Sequence, residues 1–229
     1  MFLGLFIRMD KLLSASLCAL KGEITAIIFT TLIGLASSFF IDKLAVLLFI
    51  VFWMIGFLYN WKLKEVGLLG NLLVASSVAI TFILGGIAAK EPWNIAVWIL
   101  SLIVFLFDLG EEIAADAMDI EGDKMRNVKS IAILIGKKNA LRISTLLFVL
   151  VALFSFLPVF LNLLGTSYLI IISITDVMIL FFGIKLLKSS TIAAGRLYIR
   201  AIYLSALFGM IAIIVSEIII SLVPHSKMF

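Results

Sequence analysis

Runs of about twenty residues without a formal charge recur along the whole chain, and no other feature of the sequence constrains its fold as tightly. A hydrocarbon core about 30 Å thick is crossed by about 20 apolar residues in helix. Backbone groups in lipid must be satisfied within each segment, so charge-free helical runs mark expected spans. Seven are expected, near residues 22–40, 43–60, 67–88, 93–118, 141–161, 166–187 and 197–223. The interruptions are Asp42, the cluster from Lys62 to Glu65, Lys90 to Pro92, the mixed stretch after Asp108, Asn162 to Gly165, and Lys185 to Arg196. The fifth and sixth spans share one uncharged run from Ile143 to Thr175, which fits a bilayer only if it turns midway. Asn162-Leu163-Leu164-Gly165 supplies residues that make such a turn. Composition agrees: 64% of the chain is hydrophobic and 14% charged, against roughly 45–50% and 25% in soluble domains. A water-soluble globule is excluded. Because the apolar excess is spread along the chain, it is not that of one anchor or a cleavable leader.

Correct spans should sort Lys and Arg onto alternating sides of the membrane. Fifteen of the eighteen fall on one face: Arg8, Lys11 and Lys21, then Lys62 and Lys64, then six from Lys124 to Arg142, then four from Lys185 to Arg200. Lys43, Lys90 and Lys227 fall on the other. This arrangement places the amino terminus and the aspartate-rich loop in the cytoplasm and the carboxyl terminus outside, in a multi-pass protein of the cell membrane. The net charge of +4 is thereby explained by topology, without a nucleic-acid partner. No linker divides the chain, so residues 1–229 are expected to form a single transmembrane domain. Cys18 is the only cysteine and His225 the only histidine, which excludes an intrachain disulfide and a Cys/His metal site. Any chemistry falls to Asp, Glu, Lys, Arg, Tyr or Asn.

The stretch LFDLGEEIAADAMDIEGDKMRNVKSIAILIGKK, from Leu106 to Lys138, differs from the rest of the chain. Asp116, Asp119 and Asp123 are three and four apart, so on a helix they share a face, with Glu112 a turn earlier. Carboxylates stacked in this way repel and demand a counter-charge. Mg²⁺ meets that demand, since it prefers carboxylate oxygens and commonly bridges one or two of them to a substrate phosphate. The alternative is a solvated acidic helix end ahead of a basic loop. Two details favour function: Asp108 and Glu112 lie within a span, where charge is costly outside a wet cavity, and Lys124, Arg126 and Lys129 follow at once. A second cluster, FLYNWKLKEVGLLGN, places Tyr59, Lys62 and Lys64 where they reach the same cavity or act as interfacial anchors. Asn71 and Gly85-Gly86 read as close-packing residues. Asp176 and Glu217 are the remaining ionisable groups within spans and are candidates for a proton or substrate path.

Asp116-x-x-Asp119-x-Glu121-Gly122-Asp123, followed by a basic loop and a turn at Gly136, resembles the second aspartate-rich motif of the UbiA superfamily of intramembrane prenyltransferases. YNWKLKEVGLLGN is similar to that family's Tyr-x-x-Lys loop, most closely in the archaeal branch that adds geranylgeranyl to geranylgeranylglyceryl phosphate. The resemblance implies an all-α bundle with a cytoplasm-facing cavity and Mg²⁺-dependent transfer of a prenyl group from its diphosphate to a lipid or aromatic acceptor. Metal and basic side chains would stabilise the departing diphosphate. Carried over by position, Asp116, Asp119 and Asp123 match metal ligands, while Tyr59 and Lys62 match the loop that meets diphosphate. Arg126 joins them on charge and proximity.

The chain departs from the family pattern in one respect. The family's first motif, N-x-x-x-D-x-x-x-D, does not occur, because no Asn here is followed four residues later by Asp. RMDKLLSASL, Arg8 to Leu17, resembles an eroded form of the loop that normally follows that motif, so the seven spans would correspond to family spans three to nine. Half of the metal site is then missing, and weak or absent turnover by this chain alone is expected. A truncated gene, a decayed paralogue and a partner supplying the absent helices all fit, as does an inactive binding protein. A small transporter using Asp108, Asp176 and Glu217 would show an internal repeat, and none is visible. A CDP-alcohol phosphatidyltransferase would need D-G-x-x-A-R, which is absent.

Overall fold

The computed structural model describes residues 24–61 and 66–222, and among these the regular structure is entirely helical. In chain order the helices are α1 (Ile24–Ile41), α2 (Lys43–Trp61), α3 (Leu68–Ala88), α4 (Ile95–Met118), α5 (Ile120–Met125), α6 (Ile131–Ile135), α7 (Lys137–Phe154), α8 (Leu157–Phe160), α9 (Thr166–Leu187) and α10 (Ile192–Leu222). Five are long and apolar enough to cross a membrane: α1, α3, α7 continued through α8, α9 and α10. The apolar stretch of α2, Lys43–Tyr59, is shorter. Helix α4 has the length, 24 residues, but carries Asp108, Glu111, Glu112 and Asp116 in its second half. Among the described residues, five of the seven expected crossings meet the test of length and apolarity alone.

Charge-free runs locate the lipid-embedded part of a helix and not its ends. Helix α7 begins at Lys137 and takes in Lys138 and Arg142, and α10 begins at Ile192 and takes in Arg196 and Arg200. Long basic side chains keep their heads in water while their stems extend a helix beyond the hydrocarbon. At 31 residues, α10 is about 46 Å long, well over the thickness of the core. The turn expected at Asn162 is present: its φ is 54° and the Leu163 amide donates to the Pro158 carbonyl at 2.8 Å. The α3–α4 connection is equally tight. The Glu91 amide bonds Gly86 O at 2.8 Å, and the Asn94 side chain caps α4 by accepting from the Ala96 amide at 2.9 Å.

The chain packs as two compact units that divide within α2, between Trp53 and Met54. In the first, Trp53 Nε1 donates to Thr31 Oγ1 at 3.2 Å, and a side chain at Gly34 would strike the Phe49 ring. In the second, α4 is the central element, packed against α3, α7 and α10. In lipid there is no hydrophobic drive between helices, so close packing and interhelical hydrogen bonds hold them together. The residues fit that requirement. Ala75, Ala114, Ala117 and Ala140 are buried in the core, Ser101 Oγ donates to Ala79 O at 2.9 Å, and Ser144 Oγ donates to Gly110 O at 2.6 Å. Phe148, 1% exposed, lies between Gly110 and Gly183 and tilts against Phe107 at 5.8 Å. The outer surface is apolar: Val177 is 67% exposed and Phe208 64%.

Asp176 is buried where α7 breaks ahead of Pro158. It accepts from Ser155 Oγ at 2.6 Å, and the Tyr168 hydroxyl donates to the Ser155 carbonyl at 2.9 Å. This knot ties polar groups together at a helix interruption and leaves Asp176 Oδ1 buried without a partner. Glu217, by contrast, faces outward on α10.

Replacing Phe148 with Ala opens a cavity at the α4–α7–α9 junction. Because the unfolded helices remain in lipid, the expected cost is below the roughly 3–5 kcal/mol of the same change in a soluble core. Unfolding in mixed detergent micelles should show a clear loss for Phe148→Ala and none for Phe208→Ala.

Candidate functional site

The helix expected to carry all three aspartates is interrupted in their midst. Helix α4 ends at Met118, Asp119 takes a non-helical conformation (φ −123°, ψ 22°), and α5 restarts at Ile120. The Asp119 amide closes on Asp116 O at 3.1 Å, and the Asp123 amide bonds Asp119 O at 2.9 Å, so the chain turns without straying from the axis of the stripe. All three carboxylates consequently line one cavity of about 490 Å³, together with Tyr59, Asn71, Glu112, Arg126 and Ser130. Of the expected site residues, Asp116, Asp119, Asp123, Tyr59 and Arg126 are brought together. Lys62 lies outside the described residues, as do the Arg8 to Leu17 segment, Cys18 and His225.

Two backbone approaches shape the cavity. Gly67 has φ 59° and ψ −122°, a conformation open essentially to glycine, and any Cβ there would collide with the Lys129 carbonyl. This contact sets the loop before α3 against the loop after α5. Gly122 leaves room for the Asp119 carboxylate, whose oxygen would otherwise sit 2.6 Å from a Cβ.

Asp116 has its own partner, while Asp119 and Asp123 share one. Asp116 accepts from Asn71 Nδ2 at 2.9 Å. Asp119 is held through Oδ2 by Arg126 Nη2 at 2.8 Å and approached through Oδ1 by Arg196 Nη2 at 3.7 Å. Asp123 is 5% exposed and accepts from Arg126 Nη2 at 2.9 Å through Oδ1. Its Oδ2 is buried without a hydrogen-bond partner, as is Ser130 Oγ. The hydrogen bonds to Asp123 and then Asp119 raise the Arg126 pKa above its ordinary value, so the guanidinium is charged at any physiological pH.

These residues fit a divalent cation of the Mg²⁺ type. The donors are hard carboxylate oxygens, and one of them, Asp123 Oδ2, is buried and unpaired in a residue that lines the cavity. Among the described residues no three acidic, His or Cys side chains draw close enough to enclose a cation by themselves. Mg²⁺ seldom uses such cages and takes one or two carboxylates together with substrate phosphate and water.

Sequence reasoning missed three participants. Asn71 was expected to serve packing, yet it is 7% exposed and orients Asp116; its place one turn into α3, after the Tyr59 loop, was the available signal. Arg196 had no signal beyond its charge. Ser130 had none.

The described helices thus form a bundle with a carboxylate-lined, arginine-bridged cavity at the end of a helix of membrane-crossing length. The chain belongs to the UbiA prenyltransferase family, whose profile matches residues 19–204, and it is a multi-pass membrane protein. It is 35% identical over 156 residues to digeranylgeranylglyceryl phosphate synthase of Thermococcus kodakarensis, which covers 68% of this chain and 55% of the relative. With the synthase of the same name from Saccharolobus solfataricus it shares 32% identity over 192 residues, 82% of this chain and 66% of the relative. The chain thus spans little more than half the length of the first relative. Its structure matches one solved for structural and mechanistic insights into the biosynthesis of digeranylgeranylglyceryl phosphate synthase in membranes, with a TM-score of 0.71 and 31% identity over 84% of this chain and 67% of that one. An apo structure of a UbiA homolog from Aeropyrum pernix shares the fold, with a TM-score of 0.68 at 20% identity over 85% of this chain and 72% of that one.

Gly67→Ala tests the loop contact. Strain alone is expected to cost about 1–3 kcal/mol, with the displaced Lys129 carbonyl adding to it. The thermal unfolding midpoint in detergent should fall for both Gly67→Ala and Gly136→Ala, and further for Gly67→Ala, because Gly136 shares a positive φ of 83° but has nothing near its Cβ position.

Proposed function

We propose that residues 1–229 act as one prenyltransferase domain that binds a prenyl diphosphate, geranylgeranyl diphosphate by analogy with the relatives, and transfers the prenyl group to a lipid acceptor. The observation that carries this reading is the convergence of Asp116, Asp119, Asp123, Arg126 and Tyr59 on one cavity. The relatives' common name supports a glyceryl phosphate lipid over an aromatic acceptor. The excess of Lys and Arg beside the cavity loops supports a cytoplasmic site and amino terminus.

In this reading Asp116, Asp119 and Asp123 would hold Mg²⁺, and the metal would supply charge neutralisation for the departing diphosphate. The remaining work falls to side chains. Arg126 offers a planar fork of donors to phosphate oxygens, and Lys62 offers a point charge. Tyr59 donates its hydroxyl from the facing wall. Asn71 fixes the Asp116 carboxylate, so that less ordering is required when the substrate arrives. The bond from the allylic carbon to the diphosphate oxygen breaks, the acceptor oxygen bonds that carbon and gives its proton to the released diphosphate, and the diphosphate remains against Arg126 and Tyr59.

The sequence also supports a second reading, binding without turnover, since N-x-x-x-D-x-x-x-D is absent from the 229 residues. One assay distinguishes them. Membranes holding the protein should release diphosphate from geranylgeranyl diphosphate in a Mg²⁺-dependent way that chelation abolishes. Asp116→Ala and Asp119→Ala should each lower release by about 10²-fold, the scale of losing an electrostatic contact to the transition state. Equal release by all three proteins removes the catalytic assignment, and retention of the diphosphate without release selects the second reading.

A further inference from the structure

Arg126 Nη2 lies 2.8 Å from Asp119 Oδ2 and 2.9 Å from Asp123 Oδ1, so a single guanidinium nitrogen bridges two carboxylates on the cavity wall. Arg196 approaches the other oxygen of Asp119 at 3.7 Å. The stripe that a metal would neutralise is therefore already paired in the free protein. The pairing is lopsided. Asp123 is nearly buried, with Oδ2 unpartnered, whereas the Arg126 side chain is 56% exposed. An exposed arginine can swing away at little cost in packing, while the carboxylates stay fixed by α4 and α5.

We propose that Arg126 is a resident counter-ion on the metal ligands and an exchangeable positioning residue: it occupies Asp119 and Asp123 until metal and diphosphate arrive together, then transfers its charge to the phosphate. This rests on the metal–diphosphate reading of the cavity. Metal alone must displace a charge-assisted hydrogen-bonded arginine and leave it without an anion, so binding is weak. Diphosphate alone meets an arginine already paired with carboxylates, beside negative charge that no metal offsets, so it too binds weakly. Together each supplies what the other displaces, and by linkage each raises the affinity for the other equally. Arg196, 64% exposed and farther from its carboxylate, plays the smaller part. A purely structural ion pair predicts the opposite dependence, because loosening the loop would harm metal binding.

The test uses the full chain in detergent, with Mn²⁺ as the metal and free Mn²⁺ counted by electron paramagnetic resonance, in the absence and presence of inorganic pyrophosphate. Arg126→Gln should bind Mn²⁺ alone at least about five-fold more tightly than the unaltered protein, the lower end of common coupling between sites. It should also retain pyrophosphate less well in the presence of Mn²⁺. Arg126→Lys, which keeps the charge but loses the fork, should fall between, and Arg196→Gln should show a smaller gain in Mn²⁺ affinity. Unchanged or weaker Mn²⁺ binding by Arg126→Gln overturns the exchange, whatever happens to pyrophosphate. The metal–diphosphate reading fails separately if the unaltered protein shows no Mn²⁺-dependent retention of pyrophosphate and Asp119→Asn behaves identically.

Discussion

The C-terminal end of α4 concentrates negative charge where lipid, helix packing and a cavity meet, and the neutralisation of that charge organises the surrounding structure. Asp116 is bonded by Asn71 from α3, Asp119 and Asp123 share Arg126 from the loop after α5, and Arg196 from α10 approaches Asp119 as well. Isolated carboxylates at this depth would be expensive. Distributing their partners over three segments makes the cavity a junction, so that the loops around it hold their shape through charge pairing as well as through packing.

The core complements this arrangement with small side chains. Alanines on α3, α4 and α7 and the glycines beside Phe148 bring backbones close, and serine hydroxyls bridge to carbonyls on the neighbouring helix. A bundle packed in this way gains little from water exclusion between helices and much from contact, which suits a protein whose outward residues are Ile, Leu, Val and Phe. The polar knot of Ser155, Tyr168 and Asp176 follows the same logic at the α7–α8 break, where helical hydrogen bonding lapses.

Charge gaps made most of the helical architecture legible, because a lipid-facing helix cannot tolerate frequent charges. They did not reveal that α7 and α10 begin earlier, since basic residues at a membrane surface extend a helix without entering the hydrocarbon. The aspartate spacing placed the carboxylates on one wall, but it did not foretell the break at Asp119, which needs only one non-helical residue to leave the stripe intact. Asn71 and Arg196 were invisible as site residues for a different reason. Their partners lie 45 and 77 residues away in the chain, and only the packing of α3 and α10 on α4 brings them within reach.

Helix α4 is the least able of the long helices to enter a bilayer unaided, since Asp108, Glu111 and Glu112 sit within it and each carboxylate near mid-membrane opposes insertion by about 2.5–3.5 kcal/mol on translocon scales. Its neighbour α3 emerges first during synthesis and already carries Asn71 and the Ala79 carbonyl that receive Asp116 and Ser101. The two helices are therefore suited to enter as a hairpin, with Asp116 and Ser101 matched by α3. Asn71 and Asp116, which line the cavity, thus also join α3 to α4.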